Sequence, residues 1–67
     1  MEISVNNKKE ILPSSVHTVS DYVSHSGLPT KAMAVAVNNK VIPRIKWDLT
    51  KLEDGDNLTV INAAFGG

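Results

Sequence analysis

Sixty-seven residues, 42% of them hydrophobic, with seven basic and seven acidic side chains and no cysteine, specify one small soluble domain with a single thin core. A chain of this size buries only about 60% of its unfolded surface, which leaves no room for a deep, enclosed active site. The missing cysteines exclude a disulfide framework, a thiolate zinc site and a thiol nucleophile, and the balanced charge provides no basic stripe for a phosphate backbone.

Apolar and polar residues alternate from Met1 to Asn6, which predicts a half-buried strand with Ile3 and Val5 on the inner face. Asn6-Asn7-Lys8 is a turn signal, because asparagine tolerates positive φ, and a second strand over Lys9–Leu12 completes a hairpin that Pro13-Ser14-Ser15 ends. The period then changes. Thr18 stands where it can cap a helix, Asp21 follows at the positive end of the helix dipole, and Val19, Tyr22 and Val23 form an apolar stripe. Gly27 and Pro29 stop the helix, which is predicted over Val19–Ser26.

Ala32–Val37 alternates again, with Met33, Val35 and Val37 on one face and Ala32, Ala34 and Ala36 on the other. With no charge on either face, this strand is expected at the centre of the sheet. A second asparagine turn, Asn38-Asn39-Lys40, leads to a very short strand at Val41-Ile42 that Pro43 ends. Arg44–Leu52 is expected to be irregular, with Trp47 closing the bottom of the core. Asp54-Gly55-Asp56 turns the chain into a last strand over Asn57–Ala63, with Leu58 and Val60 facing inward and Thr59, Ile61 and Ala63 outward. The order is therefore strand, strand, helix, strand, short strand, strand.

The side chains offer little chemistry. His25 lies four residues after Asp21 on the predicted helix, a spacing that can pair a carboxylate with an imidazole, but a helix-end histidine beside the negative end of the dipole accounts for it. His17 has the same status. Asp48, Glu53, Asp54 and Asp56 lack the ligand spacing of a calcium loop. No apolar run is long enough to span a membrane and the N-terminus lacks a signal-peptide pattern, so a cytoplasmic protein is expected. The last residues, Ala64-Phe65-Gly66-Gly67, are distinctive. A main-chain carboxylate after two glycines carries no bulk and can extend into the narrow active site of another protein.

Ile3-Ser4-Val5-Asn6, the stretch Ala34-Val35-Ala36-Val37-Asn38, the segment Val41-Ile42-Pro43-Arg44 with Trp47 three residues later, Leu52-Glu53-Asp54-Gly55-Asp56-Asn57-Leu58 and the final Gly66-Gly67 together resemble the ubiquitin-like sulfur carriers, most closely the thiamine-biosynthesis carriers of the ThiS type. The resemblance covers nearly the whole chain and implies an α+β, ubiquitin-like β-grasp fold, a mixed sheet of four to five strands on one short helix. It divides the chain into a β-grasp domain over residues 1–63 and a flexible tail over 64–67.

It also implies a carrier rather than an enzyme. In that family an E1-like adenylating enzyme uses ATP to activate the terminal carboxylate, sulfur from a donor such as a sulfurtransferase replaces the adenylate, and thiazole synthase takes the sulfur from the resulting thiocarboxylate. Carried onto this sequence, Gly67 provides the carboxylate and Gly66 the slender approach; no cofactor is held by the carrier, which is a monomer when free. Phe65 departs from the small or aliphatic residues usual before the glycines and is read as an anchor on the partner, with folding back on its own domain as the alternative. Thr59, Ile61 and Ala63 form the expected docking face, and Arg44 is a candidate contact for an acidic partner patch or a member of an ion pair within the domain. The small subunit of molybdopterin synthase, a carrier for cysteine or methionine synthesis, a conjugating modifier and a plain interaction domain are the alternative readings.

Overall fold

The computed structural model describes residues 1–62. In chain order these form strands β1 (Glu2–Val5) and β2 (Lys8–Ile11), helix α1 (Val19–Ser26), strands β3 (Met33–Val37) and β4 (Lys40–Ile42), a 3-10 helix (Arg44–Leu49) and strand β5 (Asn57–Asn62). The predicted fold class holds: the five strands make one mixed sheet in the order β2-β1-β5-β3-β4, the ubiquitin-like β-grasp arrangement, with β1 and β5 parallel and the other neighbours antiparallel.

Both hairpins are closed by the same device. Asn6 and Asn7 have φ of 51° and 69°, and Asn38 and Asn39 repeat those values. Two consecutive left-handed residues make the tight turn whose twist matches that of the flanking strands, and asparagine accepts this backbone at low cost. The helix keeps its predicted limits because its ends are chemically marked. The Asp21 amide donates to the Thr18 hydroxyl at 3.1 Å, while Asp21 Oδ2 accepts from the Thr18 amide at 3.1 Å and the His17 amide at 2.9 Å. At the other end Gly27 takes φ of 70°, the left-handed exit that a side chain would strain.

The buried stripe Val19, Tyr22 and Val23 lies against the inner face of the sheet, where Ile3, Val5, Met33, Val35, Ile42 and Leu58 are also buried. Leu12, Val16, Trp47 and Leu52 complete the core. The segment after the 3-10 helix is tied to the start of α1, since the Val19 amide donates to the Thr50 carbonyl at 2.9 Å and the Leu52 amide to the His17 carbonyl at 2.8 Å. That pairing places Leu52 inside.

Two expectations are corrected. The centre of the sheet belongs to β5, and β3 lies between β5 and β4. The uncharged outer side of β3 is therefore not a second buried face: Ala34 is exposed and Ala36 half-buried. Secondly, the stretch expected to be irregular contains a regular 3-10 helix, which begins where Pro43 ends β4 and swings Trp47 into the core. Its indole Nε1 donates to the Ile42 carbonyl at 3.0 Å, so the buried ring leaves no polar atom unpaired.

Two outcomes follow from this packing. Leu58 is 0% exposed on the central strand, and Leu58→Ala is expected to lower unfolding stability by about 2 to 5 kcal/mol in urea titrations. The two backbone amides, His17 first and Thr18 second, hold the Asp21 carboxyl below its ordinary value of 3.8. A pKa lowered by folding contributes stability that is complete above the ordinary value and is lost as pH falls through the folded one. Between about pH 5 and about pH 2 the wild-type protein should therefore lose stability more steeply than Asp21→Ala, and parallel pH profiles would contradict this.

Candidate functional site

The helix covers one face of the sheet and leaves the other open. Across that open face the register sets Ile61 opposite Ala34, Thr59 opposite Ala36, and Ala36 opposite Val41. Ile61 is 62% exposed and Val41 71% exposed, with the two small alanines between them. The result is a shallow apolar patch over β5, β3 and β4, bordered on the β1 side by Ser4 and Asn57. Two of the three residues predicted for the docking face, Thr59 and Ile61, are thus brought together; Ala63, the third, lies outside the described residues, as do Phe65, Gly66 and Gly67. Sequence reasoning missed Ala34, Ala36 and Val41 as members of the patch. The signal was present in their alternation, and only the strand order shows that this side meets solvent.

Strand β5 leads directly toward the glycines, and its course is fixed from both sides. The register with β1 sets Ser4 and Val5 opposite Asn57 and Leu58, and the Asn6 amide adds a last backbone bond to the Leu58 carbonyl at 2.9 Å before the chain turns away. The Asn6 side chain then takes over the ladder: its Nδ2 donates to the Val60 carbonyl at 3.1 Å and its Oδ1 accepts from the Val60 amide at 2.9 Å. A side-chain amide with one donor and one acceptor reproduces a peptide group there. On the opposite side Asn38 Oδ1 accepts from the Asn57 amide at 2.9 Å, and Asn38 Nδ2 donates to Asp56 Oδ1 at 3.1 Å. Near the end of the strand Asn62 Nδ2 donates to the Pro29 carbonyl at 2.5 Å. The first asparagine of each turn, Asn6 or Asn38, both permits its hairpin and grips the central strand.

Arg44 acts in a similar way at the other side of the sheet. Pro43 stops β4, and the Arg44 guanidinium donates to the Met33 carbonyl at 3.4 Å and also to the Thr30 carbonyl. It lies over the Trp47 ring, 4.8 Å from the centroid, where the cation meets the negative face of the indole. Arg44 is thus engaged with carbonyls and an aromatic ring, with no ion pair among the described residues, and it is not part of the open apolar patch. The Val-Ile-Pro-Arg…Trp segment locks the β4 end of the sheet.

The described residues hold no group of three or more histidine, aspartate or glutamate side chains arranged to bind a metal. Asp21 is occupied by the helix cap, and His25 sits beside the Tyr22 ring at 6.4 Å between centroids. The Tyr22 hydroxyl donates to Glu10 at 3.2 Å, and burial, together with that carboxylate, pushes its pKa up to about 12, so the phenol stays neutral at ordinary pH. No helix among the described residues is long and apolar enough to cross a membrane.

Comparison with known proteins bears on what this arrangement serves. The sequence profile described as the ThiS family matches residues 1–67. The chain belongs to the ThiS family. This makes it a sulfur carrier of the thiamine-biosynthesis type, the family its motifs resemble. The crystal structure of a thiamine biosynthesis protein (ThiS) from Geobacter metallireducens superposes with a TM-score of 0.83 at 25% sequence identity, covering 100% of both chains. A solution NMR structure of a thiamine biosynthesis protein from the same organism gives a TM-score of 0.80 at 25% identity, covering 100% of this chain and 88% of the other. No significant match is found among curated protein sequences.

The grip of Asn6 on β5 in this ThiS-family chain can be separated from its role in the turn. Asn6→Gly keeps the positive φ and removes only the side-chain bonds. Stability is expected to fall by about 1 to 3 kcal/mol, with faster hydrogen exchange at the Val60 amide. Unchanged exchange at Val60 would contradict the clamp.

Proposed function

We propose that the Gly67 carboxylate is the reacting group of this carrier, delivering sulfur for the thiazole of thiamine. The observation that carries this reading is the match to the ThiS family over residues 1–67, which takes in Gly66 and Gly67. In the first step a carboxylate oxygen of Gly67 attacks the α-phosphorus of ATP in the active site of an E1-like adenylating enzyme, and pyrophosphate leaves. In the second, the terminal sulfur of a sulfurtransferase persulfide attacks the acyl carbon and AMP leaves, and a thiol then reduces the resulting acyl disulfide, forming a disulfide with the sulfurtransferase and releasing the carrier's sulfur. The product is a thiocarboxylate, and thiazole synthase accepts its sulfur.

The carrier's own contribution is access and docking. Gly66 and Gly67 have no side chains to obstruct a narrow channel, and the sequence has no internal thiol to intercept the acyl-adenylate. The apolar patch of Ile61, Val41 and the two alanines, continuous with the strand that leads to the tail, supports docking of the partner on the open face. Ala63 and Phe65 contact the partner as well, Phe65 as an anchor at the mouth of its channel, where a rigid aromatic buries large area at low entropic cost. Catalytic side chains, metal and ATP site belong to the partners in this scheme.

Deletion of Gly67 is expected to abolish ATP–pyrophosphate exchange by the adenylating enzyme while leaving the unfolding midpoint unchanged; retained exchange would overturn the assignment. Ile61→Asp should weaken binding of that enzyme by about tenfold or more, with a stability change within about 0.5 kcal/mol. A larger effect on folding than on binding would contradict the docking face.

A further inference from the structure

The charge of this chain is balanced in total but not in place. Residues 31–51 carry Lys31, Lys40, Arg44, Lys46 and Lys51 against Asp48 alone, whereas the remainder carries Lys8 and Lys9 against Glu2, Glu10, Asp21, Glu53, Asp54 and Asp56. The β3–β4 hairpin and the 3-10 helix therefore form a basic end, and β1, β2, α1 and the turn before β5 an acidic remainder.

Within the basic end lies a groove of about 490 Å³ between β4 and the 3-10 helix, lined by Val37, Lys40, Val41, Ile42, Pro43, Lys46 and Thr50. Two ammonium groups thus border an otherwise mostly apolar channel, and neither is ion-paired among the described residues. The backbone adds a directional element. Val37 and Lys40 close a two-residue turn and form a hydrogen-bonded pair, so Ala36 and Val41 form the next, non-hydrogen-bonded one. The N–H and C=O of Val41 consequently point away from β3, off the free edge of the sheet. The next outward position, Pro43, has no N–H to offer. The edge can pair with one residue of an incoming strand and no more, which suits a short segment and disfavours edge-to-edge joining of whole sheets.

We propose that this groove is a docking site for a short, extended, acidic segment of a partner protein, with one residue bridged to the Val41 backbone, apolar side chains along Val37, Ile42 and Pro43, and carboxylates reaching Lys40 and Lys46. Charge complementarity selects the occupant: both charged groups of the lining, Lys40 and Lys46, are cations, and Asp48 is the one acidic side chain in residues 31–51. The groove is built from β4 and the 3-10 helix, and the assignment does not depend on the chemistry at Gly67.

The test uses the full chain, labelled with nitrogen-15, and an acetylated seven-residue peptide with Val-Ile-Val at its centre and two glutamates at each end. Amide shift changes are expected to centre on Val41, Ile42, Lys46 and Thr50. The variant Lys40→Glu with Lys46→Glu should weaken binding at least tenfold, and Lys8→Glu with Lys9→Glu on β2 less than twofold, each checked for a native spectrum. Equal loss in both double variants, shifts centred on Ala34, Thr59 and Ile61, or no binding at millimolar peptide would each overturn the proposal. Concentration-dependent shifts in the same groove without peptide would also overturn it, assigning the surface to a second copy of the chain.

Discussion

Everything in this domain is organised around the placement of β5 at the middle of the sheet. It is the last strand in sequence and the central one in space, joining a hairpin from the start of the chain to a hairpin from its middle. Without it the two hairpins share no strand pairing, and two-stranded sheets are at best marginally stable in water. The price of this arrangement is that β1 leaves the ladder early and β4 is cut short by a proline. In both places a side chain finishes what the backbone abandons, Asn6 at Val60 and Arg44 at Met33. A buried or half-buried peptide group without a partner is costly, so these completions matter in a core this thin.

The same strand connects stability to function. Its inner residues, Leu58 and Val60, join the core, its outer residues, Thr59 and Ile61, stand on the open face, and its far end leads to the two glycines. A domain this small has a single thin core, and the sheet face that its helix leaves uncovered is apolar.

Much of this was legible in the sequence because local chemistry and tertiary demand agree. The helix limits coincide with prediction since Thr18, Asp21 and Gly27 mark them with side-chain and backbone chemistry that no packing needs to override. The inner and outer parity of β5 was readable from alternation alone. The position of β3 was not, because an uncharged face made of Ala34 and Ala36 reads the same whether it is buried by a second layer or left open to solvent. The 3-10 helix was hidden for another reason: its single turns carry no repeating stripe, and Arg44 and Trp47 reveal their purpose only when the ring and the Met33 carbonyl are seen together. Arg44 read as a surface charge, and its partners within the domain prove to be carbonyls and an indole.

The central claim, that sulfur is carried on the Gly67 carboxylate, is tested most directly by intact-mass spectrometry after incubation with the adenylating enzyme, ATP and a sulfur source, with the terminal peptide fragmented to locate the change. The account predicts the exchange of one oxygen for one sulfur on Gly67. A terminal peptide that gains neither adenylate nor sulfur under these conditions would contradict it.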